Sequence, residues 1–406
     1  MPKVIQSFLP KEVYITSMAR TPIGKFMGCL SSMTAPQLGA IAIHSAIQRS
    51  LLNPDEVQQV IMGHVLTAGC GQLTSRQAAL SAGIPPNIDA FNVDKVCSSG
   101  MKSVCLAAQL ISLNQAEIVI AGGMESMSNS PYILNKARFG GYKFGNGELI
   151  DNVLYDGLTD NKHQKTMGWC AEKTANEYNI SRLEQDNYTL QSYKRASDAF
   201  KTSQMDKEIC PVSISTDNSS KLNPKFITIN EDEQYDALKP EKLATLNPVF
   251  KQNGTITAAN SSSLSDGAAA IVLMSKDMVN HLGLNPIARI ISFADAAVES
   301  IDFSIAPFHA FQNAKKLAHI DKVDYHEINE AFASVVLSNM KLLNIDINIV
   351  NLNGGAISLG HPLGMSGCRI ICSLINVLHS NTHFALGAAS ICNGGGGASS
   401  IILEAC

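Results

Sequence analysis

The feature that most restricts this chain is a regular alternation of short apolar strands with helical patterns, present at both ends of a 406-residue sequence. Residues 13–17 read as a strand, 35–50 as a helix, 60–63 as a strand and 75–82 as a helix. A short strand at 91–93, a helix from about Ser99 to Leu113 and a strand at 117–121 follow. This order predicts α/β layers around a largely buried sheet. From about Ser126 to Gln252 the chain changes character: Lys, Asn, Asp and Glu become common and strand signals thin out. Helical patterns fill 172–200, including 181–197, while 217–252 is polar and loop-like. Alternation resumes with an apolar strand at 266–275. The length exceeds one compact core. The expected division is 1–125 with 253–282 as a first α/β half, 126–252 as an inserted, mostly helical and irregular subdomain, and 283–406 as a second half.

The two halves share a faint repeat. Phe91-Asn92-Val93 leads through Cys97 into Ser99-Gly100-Met101-Lys102 and an apolar helix. Val350-Asn351-Leu352 leads through His361 into Ser366-Gly367-Cys368-Arg369 and another. Equivalent loops at equivalent strand ends would bring Cys97 and His361 toward one crevice.

Charge narrows the function. The net charge of −4 does not point to nucleic acid as a partner, so an anionic ligand needs a local positive site. No apolar run suggests a membrane span. Met1 to Pro10 carries one Lys and no Arg before the first strand, which reads as a cytoplasmic chain, with the mitochondrion as the alternative. The Leu403-Glu404-Ala405-Cys406 ending is neither a peroxisomal signal nor a prenylation box. The ten cysteines lack disulfide-scaffold spacing or a CxxC pair, so most are expected to be small buried apolar residues.

Four segments carry candidate chemistry. Cys97, in Val96-Cys97-Ser98-Ser99-Gly100, stands at a helix start, where backbone N–H groups and the macrodipole favour a thiolate. From the local pattern alone, the bland alternative is a buried Cys at a helix N-terminus. His361 lies in the Gly- and Pro-rich stretch 353–364, which lets backbone approach a ligand. It could be a base to a thiol, an oxyanion donor or a structural His in a turn. Cys392 precedes four glycines between strands expected at 384–389 and 399–403. Such a run is entropically costly unless the backbone must pass close to something, the alternative being a flexible hairpin. Asn329, in His326-Glu327-Ile328-Asn329-Glu330-Ala331-Phe332, could hold a water or orient a His, or only cap a helix.

Taken together, these segments resemble the thiolases over essentially the whole chain. Further matches are Ala19-Arg20-Thr21-Pro22-Ile23-Gly24-Lys25-Phe26, Gly122-Gly123-Met124-Glu125-Ser126-Met127-Ser128 and Ser265-Asp266-Gly267-Ala268-Ala269. Asn329-Glu330-Ala331-Phe332, Gly360-His361-Pro362 and Cys392-Asn393-Gly394-Gly395-Gly396 complete the set. Within the family the chain is similar to the acetyl-CoA acetyltransferases. The stretch 293–299 and the CNGGGG ending look like potassium-responsive, mitochondrial-type members.

The resemblance implies a thiolase fold of two similar α/β halves in five layers with an inserted loop domain. It implies that Cys97 takes the acyl group, that His361 takes the Cys97 proton, and that Cys392 is the second acid/base. It assigns one oxyanion site to His361 and a water on Asn329, and the other to the backbone N–H groups of Cys97 and Gly394. Acetyl-CoA, acetoacetyl-CoA and CoA are the implied partners, with no covalent cofactor. Ser262, Met167, Phe332 and Leu158 are the implied CoA contacts, and Lys242 a phosphate contact. Potassium would sit on Tyr193 and the backbone of Ala258, Ala259, Ser261 and Ile357. A homotetramer is expected. One departure stands out: Thr166 occupies the place before Met167-Gly168 where acetoacetyl-CoA thiolases usually have His. A degradative 3-ketoacyl-CoA thiolase for longer chains is therefore the nearest rival. A decarboxylating condensing enzyme would use histidine chemistry in place of Cys392, and a non-catalytic lipid-binding relative would lack part of the set.

Overall fold

A computed structural model describes residues 6–215, 225–381 and 385–406. Part of the expected N-terminal segment, residues 217–224 of the polar stretch and Phe384 lie outside them. The main strands are β1 (Val13–Arg20), β2 (Gln59–Gly63), β3 (Asp89–Val93), β4 (Ile118–Ser126), β5 (Ser265–Ser275), β6 (Ala288–Ala297), β7 (Tyr325–Ile328), β8 (Leu386–Asn393) and β9 (Gly397–Ala405). They form one sheet in the order β7-β8-β9-β6-β1-β5-β4-β2-β3. The halves meet where β1 runs antiparallel to β6, through Tyr14 opposite Arg289 and Ile15 opposite Ala288. Counted outward from that seam, β1-β5-β4-β2-β3 mirrors β6-β9-β8-β7. The fifth position of the second half is only a bridge between His326 and Val350. The strand expected at 350–352 is thus reduced to one residue pair. The Asn351 side chain replaces ladder bonds there, accepting from Ile328 N–H and donating to its carbonyl.

Alternation along the strands creates the layers. Ile118 and Ile120 of β4 face α1 (Ala35–Ser50) and α2 (Thr74–Ser81), in one core with Leu38, Ile43 and Ala78. Val119 and Ala121 face the opposite way, into a core shared with α3 (Ser99–Ser112). The α4 helix (Met167–Glu177) and α5 (Arg182–Lys201) belong to the insertion. In the second half, α6 (Ala306–Leu317) covers the outer face through Phe311 and Ala314, against Ile291 and Ile402. The α7 helix (Ala333–Leu343) follows Asn329, and α8 (Leu363–Asn381) lies in the middle against α3. The result is five layers: outer helices, sheet half, the central pair α3 and α8, sheet half, outer helices. By length and composition α8 could cross a membrane, contrary to the sequence reading, yet nearly all of it is buried within this protein. Ile370, Ile371, Leu374 and Leu378 are fully covered. Each contributes about 1.5–3 kcal/mol of transfer free energy.

Glycines bring the central helices together. A Cβ on Gly100 would lie 2.7 Å from the Gly364 carbonyl oxygen and 2.9 Å from Cys368 N. A Cβ on Gly367, its counterpart in the repeat, would strike Met101 N. The Ser-Gly of each half therefore lets two backbones touch, and this contact places the Cys97 and His361 loops side by side. Gly367→Ala is expected to destabilise the fold by about 1–3 kcal/mol through overpacking. A melting temperature equal to the parent's would contradict this packing.

The insertion is less regular, as its polar sequence suggests. Helix α5 starts on a reciprocal cap: Glu184 N–H donates to Ser181 Oγ, and Ser181 N–H donates to Glu184 Oε2 at 2.7 Å. Short strand pairs, such as Val212–Ser215 with Phe226–Ile229, interrupt the loops.

Candidate active site

Three loops converge on one cavity of about 440 Å³. Cys97 reaches it from the turn between β3 and α3. Val96 there has φ 49°, a strained conformation for a β-branched residue and a frequent feature of functional sites. Ser98 Oγ donates to Asn393 Oδ1 at 2.9 Å, tying this turn to the end of β8. Strand β8 runs four residues further than expected, so Cys392 is held inside a strand rather than opening a loop. Only Gly394, Gly395 and Gly396 then make the turn into β9, the last two with φ 83° and 84°. The Gly394 N–H points at the Cys97 thiol. A Cβ on Gly394 would have Val96 Cγ1 and Met167 Sδ as nearest atoms, at 3.6 and 3.8 Å. Protein contacts therefore do not demand glycine there; a side chain would instead occupy space beside the thiol.

His361 enters just before α8. Its Nδ1 lies 2.6 Å from Ser366 Oγ, which itself donates to the Pro362 carbonyl. The hydroxyl hydrogen is thus committed, and Nδ1 must carry the ring proton. Nε2 is left with its lone pair, toward which Asn329 Nδ2 points at 3.5 Å. Burial and the positive Arg369 hold the imidazole neutral, down to about 3.

The thiols correct one expectation. The Gly394 and Cys97 backbone N–H groups do favour the Cys97 thiolate, but burial outweighs them and pushes the thiol up to about 12. Cys97 touches the cavity while protein surrounds the sulfur, so desolvation exceeds the helix-end effect. Cys392 is pushed up further, by burial first and then by the proximity of Cys97. Both cysteines rest as thiols.

Of the other expected residues, Met167, Phe332, Leu158, Ser262, Ala258 and Ser261 also line the cavity, with Thr166 beside Met167. Its wall is mostly apolar, including Phe250, Phe303 and Leu363. The Ser262 hydroxyl donates to the Ala331 carbonyl at 3.0 Å. Lys242 is not part of the lining; it is exposed in the turn Pro240–Thr245. Tyr193 and Ile357 lie outside the lining as well, together in a neighbouring apolar cluster. Among the described residues no backbone N–H is directed at the carbonyls of Ala258, Ala259 or Ser261, a donor set that suits a hard monovalent cation.

Sequence reasoning passed over several supporting groups. Glu125, fully buried, accepts from the N–H groups of Val65, Leu66 and Gly364, joining the two halves beside His361. Glu330 accepts from Tyr188, Ser192, Asn351 and the Ile357 N–H, and so fixes the 351–357 loop. Both sit in quoted motifs, but only the tertiary fold reveals their partners.

The buried histidines predict a pH dependence of stability. His361 and His326 (lowered to about 4 by burial) stay neutral in the fold, whereas the unfolded chain protonates them near 6.5. Their contribution is present above about 6.5 and lost as pH falls toward 3–4, at about 1.4 kcal/mol per group per pH unit. Urea midpoints should fall over this range, and His361→Asn should reduce the slope; an unchanged slope would contradict the neutral burial of His361.

The comparisons with known proteins agree with this geometry. Residues 13–277 match the N-terminal thiolase domain and residues 284–405 the C-terminal thiolase domain. The chain belongs to the thiolase family. This thiolase is 48% identical to an acetyl-CoA acetyltransferase of Schizosaccharomyces pombe over 97% of this chain and 98% of that one. It is 46% identical to the mitochondrial acetyl-CoA acetyltransferase of Homo sapiens over 97% of this chain and 90% of the human one. Among solved structures it resembles the Acat5 thiolase from Ascaris suum in complex with coenzyme A, with TM-score 0.91, 42% identity, and 98% of this chain and 100% of that one covered. The Bacillus anthracis acetyl-CoA acetyltransferase gives TM-score 0.94 at 37% identity, with the same coverage.

Proposed function

We propose that this thiolase is an acetyl-CoA C-acetyltransferase, which reversibly condenses two acetyl-CoA to acetoacetyl-CoA and CoA through an acetyl-Cys97 thioester. The carrying observation is one cavity lined by both thiols, His361 and Gly394. Relatives named acetyl-CoA acetyltransferase, at 46–48% identity, support the substrate.

Because both thiols rest neutral, deprotonation accompanies attack. As acetyl-CoA arrives, Cys97 passes its proton to His361 Nε2, and the sulfur attacks the thioester carbonyl. The Cys97 and Gly394 N–H groups receive the developing oxyanion. The carbon–sulfur bond to CoA breaks, and the departing CoA sulfur takes the Cys392 proton. The Cys392 thiolate then removes a methyl proton from the second acetyl-CoA. That carbanion attacks acetyl-Cys97, whose oxygen stays on the same two N–H groups, while the Asn329 water and His361 Nε2–H hold the enolate oxygen. The thioester bond breaks, and Cys97 regains its proton from His361. Protons balance over the cycle. The mutual repulsion of the sulfurs allows one negative charge at a time, so the thiols act alternately.

CoA follows the cavity, with Leu158, Met167 and Phe332 along its apolar arm and Ser262 beside it. Lys242 meets phosphate outside. The Ascaris relative is in complex with coenzyme A, which supports CoA as the ligand of this cavity. Potassium would be held by Tyr193 and the carbonyls of Ala258, Ala259, Ser261 and Ile357, supplying a fixed positive charge behind the cavity wall. A homotetramer is supported by Tyr132, Phe139, Phe144 and Leu149, large apolar side chains exposed on the insertion. The cytoplasm is the proposed location, with the mitochondrion as alternative, since several relatives carry mitochondrial names.

The test is thiolysis of acetoacetyl-CoA beside a longer 3-ketoacyl-CoA, each with and without potassium. Strong preference for acetoacetyl-CoA is expected. Equal or better turnover of the longer chain would favour the degradative thiolases, with Thr166 in the cavity wall the first residue to examine. No turnover of either would favour a lipid-binding role.

A further inference from the structure

Arg369 is buried on α8, far from any solvent that could stabilise its charge. Its guanidinium spans two groups on β7 and the loop that follows it. Nη2 donates to Asn329 Oδ1 at 3.4 Å, and Nη1 lies 4.0 Å from Glu327 Oε2. Asn329 presents its other end, Nδ2, to His361 Nε2. An Asn amide can be turned over in place, exchanging donor and acceptor. Here a cation that only donates faces one end and an imidazole lone pair the other. Turned over, Asn329 would set its NH₂ against the guanidinium and its oxygen against the lone pair.

We propose that Arg369, anchored by Glu327, is a positioning residue for the thiolase reaction: it fixes the Asn329 amide with its donor end toward His361.

A buried charge costs stability unless paired, and this pair is poor. At 4.0 Å the carboxylate makes no hydrogen bond, and both Glu327 oxygens lack a hydrogen-bond partner in the fold. Two hydrophobic residues of similar volume would be at least as stable, so a stability role explains the pair badly. Burial pushes Glu327 up to about 8, against the pull of Arg369 and Arg195 and with Glu330 and Glu208 adding to the rise. Arg20 and the same two glutamates also face Arg369. Glu327 therefore ionises within the working range, which gives the anchor its own signature.

The inference rests on the reading of Asn329 and His361 as catalytic, so Asn329→Ala is measured beside Arg369→Met, Arg369→Lys and Glu327→Gln. Arg369→Met is expected to lower kcat about 10²-fold, the order of one oxyanion donor, with KM within about twofold and partial recovery in Arg369→Lys. The kcat–pH profile of the parent should bend near 8, and Glu327→Gln should flatten it. Loss in Asn329→Ala with kcat retained in a folded Arg369→Met would overturn the proposal alone. Activity retained in Asn329→Ala would overturn the reading of the site and the proposal with it. If Arg369→Met does not fold, Glu327→Gln decides, and a pH profile identical to the parent's overturns the proposal.

Discussion

Replacing Cys97 by Ala is expected to abolish acetoacetyl-CoA thiolysis, by at least about 10⁴-fold, without unfolding the protein. The loss follows from position. Cys97 is the only thiol in the cavity that stands on a turn, with the Gly394 amide aimed at its sulfur. Cys392 lies within a hydrogen-bonded ladder, opposite Ala398, and cannot turn to replace it. Alanine removes one sulfur and leaves the Ser98 contacts to the end of β8 in place. Circular dichroism and melting should match the parent closely, and CoA should still bind, because the apolar wall is untouched. Thiolysis at the parent rate in Cys97→Ala would require another acyl acceptor and would contradict this assignment.

Replacing Cys392 by Ser should separate the two halves of the reaction. A hydroxyl holds its proton far more tightly than a thiol, so it neither delivers that proton to a carbanion nor becomes a base. Condensation and its reverse should fall by about 10²–10⁴-fold, the usual worth of a placed acid/base. Acetyl transfer from acetyl-CoA to Cys97 should persist at a reduced rate, because CoA is itself a thiol and can leave as a thiolate even when the Cys392 proton is not there to meet it. An unimpaired condensation rate would remove Cys392 from the proton-transfer role. A matching loss in both halves would point instead to a collapsed cavity.

Much of the fold is legible in the sequence alone. The helix at 35–50 and the start of α3 at Ser99 are readable because the apolar period is local. The repeat around Ser99-Gly100 and Ser366-Gly367 points to paired loops, and the two glycines make that pairing physical. The same repeat brings Cys97 and His361 toward one crevice, whereas the arrival of Cys392 in that cavity could be expected only through family resemblance, since no local spacing encodes it. Three things are not legible. The Asn351 side chain takes over ladder bonds, so residues 350–352 look like a strand and are not one. The protonation of Cys97 depends on how much protein surrounds it, and a helix start alone predicts the wrong direction. The chain from Glu327 through Arg369 and Asn329 to His361 joins residues 40 positions apart, and nothing in their spacing connects them.

In the proposed cycle an acetyl group rides on Cys97 while Cys392 handles the proton. The most direct test of that cycle is peptide mass spectrometry of Cys392→Ser protein after incubation with acetyl-CoA alone. The expected result is the mass of one acetyl group on the peptide containing Cys97, discharged when CoA is added. Acetylation elsewhere, or none on Cys97 in folded protein that binds CoA, would contradict it.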